Sequence, residues 1–123
     1  MKITYSNKKT EKICCDTSKA KKELGKDVAI KLANLLNAIE SFPNLYDVSM
    51  MPQYRMHPLK GNRINQYSFV IHKGYKWRLI IHPLGENGKL LISNDSEKEK
   101  LIKAVMVEVL EVSEHYDWKN KNC

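Results

Sequence analysis

Two alternating segments, 66–72 and 76–82, constrain the fold of this 123-residue chain more than any other feature. Tyr67, Phe69 and Ile71 alternate with Ser68, Val70 and His72. Trp77, Leu79 and Ile81 alternate with Lys76, Arg78, Ile80 and His82. A period of two is that of a strand with two unlike faces. The link His72-Lys73-Gly74-Tyr75 is short, so the two strands are expected to form an antiparallel hairpin.

A second period appears earlier in the chain. Val28, Leu32, Leu35, Leu36 and Ile39 make one apolar stripe on a helix from about Lys26 to Ser41, ended by Phe42-Pro43-Asn44. Lys2 to Tyr5 reads as an opening strand. Ser6 or Asn7 caps a helix through about Cys15, and Asp16-Thr17-Ser18 caps a turn of helix through Leu24. Residues 1–42 are thus a strand plus a helical hairpin whose stripe needs a sheet to lie on. Tyr54 to Leu59 is expected to be extended, with a turn at Gly61-Asn62. Gly85 to Lys100 is polar and reads as a loop insertion, with Leu90 to Ile92 a brief strand. Val105 to Val112 closes the sheet, with Val105, Val107, Val109 and Glu111 on one face. The expected architecture is α+β: an N-terminal helical hairpin packed on a curved antiparallel β-sheet spanning 54–116, in a single domain 1–123.

Composition narrows the class. Hydrophobic content of 42% and charged content of 28% suit a globular domain. No apolar run approaches the roughly 20 residues that span a bilayer, and the N-terminus lacks the apolar stretch of a signal peptide. A cytoplasmic protein is expected. Cys14, Cys15 and Cys123 offer neither a disulfide framework nor a zinc spacing. No HExxH, EF-hand or aspartate cluster is present, so neither a metal nor a cofactor is expected.

The formal charge of +7 has two readings. A lysine-rich surface can simply be solvated, or it can attract the phosphates of nucleic acid. The run Arg55-Met56-His57-Pro58-Leu59-Lys60-Gly61-Asn62-Arg63 favours the second, because it concentrates cations beside the sheet.

That run, followed by Tyr67-Ser68, Trp77-Arg78-Leu79-Ile80 and the terminal Glu114-His115-Tyr116, resembles HigB-type toxins of the RelE/ParE superfamily. The resemblance implies a RelE-like microbial RNase fold and the toxin of a type II toxin-antitoxin pair. The implied activity is mRNA endonuclease cleavage at the ribosome, without a metal and by attack of the RNA 2′-hydroxyl. The implied partners are mRNA and the ribosome, a HigA-like helix-turn-helix antitoxin and, through it, operator DNA.

Position by position, the resemblance carries over His57, Lys60, Arg63, Arg78, Glu114, His115 and Tyr116 as catalytic candidates. Arg55, Lys60, Arg63 and Lys76 are candidates for RNA binding. HigB toxins commonly end in Asp-Tyr-His, whereas this chain reads Glu114-His115-Tyr116-Asp117, so His115 and Tyr116 compete for one place. A metal-free RNase needs a base, cations around the phosphorane and an acid for the leaving oxygen. Arg63 and Arg78 suit the second task because a guanidinium can hold two phosphate oxygens in a fork. Lys60 adds a point charge. His57 or Glu114 could serve as base, and Tyr116 could stack on a nucleobase. Two other readings stay open: a ParE-like toxin that binds gyrase, and a catalytically weakened antitoxin-binding partner.

Overall fold

A computed structural model describes residues 1–72, 76–92 and 96–114. The N-terminal third forms from local signals. Strand β1 (Lys2–Tyr5) leads to α1 (Lys8–Cys15), whose Asn7 side chain accepts from the Thr10 amide at 2.8 Å. Asp16 does the same for α2 (Thr17–Leu24), accepting from the Lys19 amide at 3.2 Å. Both caps satisfy amides that a helix start leaves unpaired. Gly25, at φ 88 and ψ 159, makes the break before α3 (Lys26–Ser41). That conformation is essentially restricted to glycine.

The stripe on α3 is buried as expected, with Leu35 and Ile39 at 0% exposure. Beyond it come a short helix α4 (Leu45–Ser49) and a 3-10 turn Pro52–Tyr54. Strand β2 is only His57–Pro58, because that turn and a left-handed Arg55 (φ 45) occupy the start of the expected extended stretch. A second 3-10 turn, Gly61–Arg63, leads to β3 (Tyr67–Val70) and β4 (Arg78–Leu84), which pair antiparallel. The 85–100 stretch is not all loop. Ser96 caps a helix α5 (Glu97–Lys103), which runs into β5 (Met106–Ser113).

The sheet order is β1-β5-β4-β3-β2. It is mixed rather than antiparallel throughout, since β1 pairs parallel with β5. Parallel neighbours need a crossover, and here the rest of the described chain supplies it. Tyr67, Phe69, Leu79, Ile81, Val107 and Val109 join the helices in one core cluster. Leu59, Ile80 and Leu110 form a separate small cluster. Neighbours along a strand point to opposite faces, so Ile80 and its cluster mark the face opposite the one that joins the helical core.

One irregularity shapes that face. Ile81 pairs with Val109, but Ile80 pairs with Glu111, so Leu110 is an extra residue in β5. Such a bulge shifts the phase of alternation. Glu111 therefore leaves the Val107/Val109 face on which simple alternation puts it and joins Ile80 on the opposite one.

Candidate active site

Cross-strand pairing places the site residues. Residues directly opposite each other share a face of the sheet. His57 pairs with Ser68, Ser68 with Ile80 and Ile80 with Glu111, giving one row across four strands. The row spans three interstrand steps of about 4.8 Å, about 14 Å in all. Val70, Arg78 and Ser113 form the next row, and His82 with Glu108 a third on the other side. Arg78 stands two residues from Ile80, about 7 Å along the strand. Ile80 at 0% exposure and Leu59 at 3% make an apolar floor between the charged groups.

Arg78, Arg63 and His57 are each oriented by a neighbour. Arg78 is half-buried and its Nη1 donates to the Trp77 carbonyl at 3.2 Å. Arg63 comes from the 3-10 turn after β2, and its Nη2 lies 2.7 Å from Glu111 Oε1 on β5. Its Nη1 donates to Gln66 Oε1 at 2.9 Å. The loop carrying Arg63 is closed at its neck by the Leu59 amide, which donates to the Gln66 carbonyl at 2.9 Å. The loop is also tied to α5, where buried Lys100 reaches Asn65 Oδ1 at 3.4 Å.

His57 Nδ1 lies 3.1 Å from the Arg55 carbonyl. A carbonyl only accepts, so this contact favours the tautomer with the proton on Nδ1 and the basic lone pair on Nε2. A second acid–base pair stands nearby, His82 Nδ1 and Glu108 Oε1 at 3.4 Å.

His57, Arg63 and Arg78 are thus brought to one face. Arg55, Lys60 and Lys76 are exposed: Lys60 opens the second 3-10 turn and Lys76 precedes β4. Glu114 directly follows β5 and is exposed. His115 and Tyr116 lie outside the described residues. The thiols of Cys14 and Cys15 sit apart on α1, where burial and then proximity to Cys15 push Cys14 up to about 12. Cys14 is therefore a poor nucleophile at neutral pH.

The YoeB/ParE toxin from Agrobacterium tumefaciens matches this chain with a TM-score of 0.53 and 14% sequence identity. The match covers 94% of this chain and 100% of that one. The two proteins share a fold. No family model matches the sequence, and no curated protein does. Among the described residues, no helix is long and apolar enough to cross a membrane.

Within this fold, three residues of the Ile80 face escaped the sequence reading. Glu111, Gln66 and Glu108 each hold a basic side chain there. Strand alternation gave no signal for Glu111, because the bulge that turns it outward depends on pairing with β4. Gln66 lay at the boundary between turn and strand, and its contact depends on how the Arg63 loop closes.

Proposed function

We propose that the whole chain, 1–123, is a HigB-type toxin of a type II toxin-antitoxin pair that acts in the cytoplasm as a metal-independent mRNA endonuclease on the ribosome. The observation that carries this reading is the gathering of Arg63, Arg78 and His57 on one face of a sheet whose fold is that of a YoeB/ParE toxin.

A base takes the proton of the 2′-hydroxyl, O2′ attacks the adjacent phosphorus, and the bond from phosphorus to O5′ breaks with a proton delivered to O5′. The products are a 2′,3′-cyclic phosphate and a 5′-hydroxyl. Arg63 and Arg78 stabilise the charge on the phosphorane, and Lys60 adds to the field from the rim. His57 suits proton transfer, because the Arg55 carbonyl favours the tautomer that leaves Nε2 basic. Glu114, His115 and Tyr116 complete the set by resemblance, and Arg55 and Lys76 hold flanking phosphates. An acidic segment of a HigA-like helix-turn-helix antitoxin would neutralise the same face, and the antitoxin would bring the pair to operator DNA.

Mapping RNA 5′ ends after induction in a host cell tests the reading. New ends within translated codons are expected within minutes, and they should be absent when the antitoxin is co-expressed. DNA damage with intact transcripts would overturn the nuclease reading in favour of a gyrase-binding toxin.

A further inference from the structure

We propose that Glu111 is a positioning residue for Arg63, brought to the Ile80 face by the bulge at Leu110. The proposal rests on the RNA-cleavage reading and assigns one more residue to that site. Arg63 leaves a turn beside the edge strand β2, whereas Glu111 stands on β5, and β3 and β4 lie between them. The ion pair at 2.7 Å therefore draws the guanidinium across the face instead of leaving it in solvent.

Gln66 Oε1 takes Nη1 from the other side at 2.9 Å. A guanidinium has five N–H donors in a fixed plane. With Glu111 on Nη2 and Gln66 on Nη1, the plane is set while donors remain for a phosphate. Arginine loses much rotamer freedom when it is fixed in this way, and here that loss is taken before substrate arrives. Without the bulge, Glu111 would face the Val107/Val109 core and could not reach Arg63. Bulges beside active sites commonly re-aim one side chain in this way.

The test joins kinetics to a direct view of Arg63. In the full-length protein, the Arg63 Nη–H resonances should show restricted rotation and slowed exchange in wild type and solvent-like exchange at Nη2 in Glu111→Ala. On ribosome-bound mRNA, Glu111→Ala should lower kcat about 10- to 100-fold with little change in KM, the range expected when a catalytic group is misplaced by about 1 Å. Glu111→Gln, which keeps an acceptor, should recover part of the loss, and its pH profile should keep the acid limb of wild type.

Adding Glu111→Ala to Arg63→Ala should cost nothing further, because the carboxylate acts through the arginine. Additive losses would overturn the proposal, as would disappearance of the acid limb in Glu111→Gln, which would make Glu111 the base itself. If wild type cleaves no RNA, the nuclease reading fails, while the resonance comparison still decides whether Glu111 holds Arg63.

Discussion

Arg78→Ala is expected to abolish growth arrest on induction and to lower mRNA cleavage by at least about 100-fold, the loss typical of removing one preorganised donor to a developing anion. Arg78 lies between Val70 and Ser113 in the row beside Ile80, on the face opposite the helical core cluster. Its side chain takes no part in the core cluster that Trp77 and Leu79 join, so truncation should leave the fold intact. Unchanged circular dichroism and an unchanged unfolding midpoint are the necessary control. Arg78→Lys should recover only a fraction of the activity, since an ammonium offers a point charge and no fork. A fully toxic Arg78→Ala variant would remove this residue from the catalytic set.

Phe69→Ala is expected to have the largest effect on stability. Phe69 has 0% exposure and sits on β3 opposite Leu79, in the cluster shared with α3. Emptying such a site costs about 3–5 kcal/mol from lost burial and the cavity left behind. Against a total of roughly 5–15 kcal/mol, that removes much of the margin. Urea unfolding should show the midpoint falling sharply with an unchanged slope. A loss below about 1 kcal/mol would mean that the site collapses around the gap or is less enclosed than described.

How much of this was legible in the sequence depends on the range of the interactions concerned. The α3 stripe and the β3–β4 hairpin were readable because periodicity is local, and the structure buries the residues that the pattern assigns to the core. Helix α5 was not, because its sequence Glu97-Lys98-Glu99-Lys100-Leu101-Ile102-Lys103 is short and charged, with Lys100 and Leu101 alone buried. Parallel pairing of β1 with β5 is set by topology and leaves no mark in either strand.

The site divides along the same line. His57, Arg63 and Arg78 could be nominated because the resemblance carries them over and their side chains suit a phosphodiester. The partners that orient them could not, because Glu111 needs the bulge and Gln66 needs the closed turn. The nominations also identified which residues carry charge better than how they face. Arg63 reads as an exposed arginine after a turn, yet its side chain is only 35% exposed and is held against β5.

Cleavage of ribosome-bound mRNA by the purified protein, with one ribose replaced by its 2′-deoxy form at a mapped cut site, tests the central claim most directly. Unmodified message should be cut there to a 2′,3′-cyclic phosphate and a 5′-hydroxyl, and the deoxy position should be spared while other sites are still cut. Continued cleavage at the deoxy position, or ends bearing a 5′-phosphate, would contradict the account.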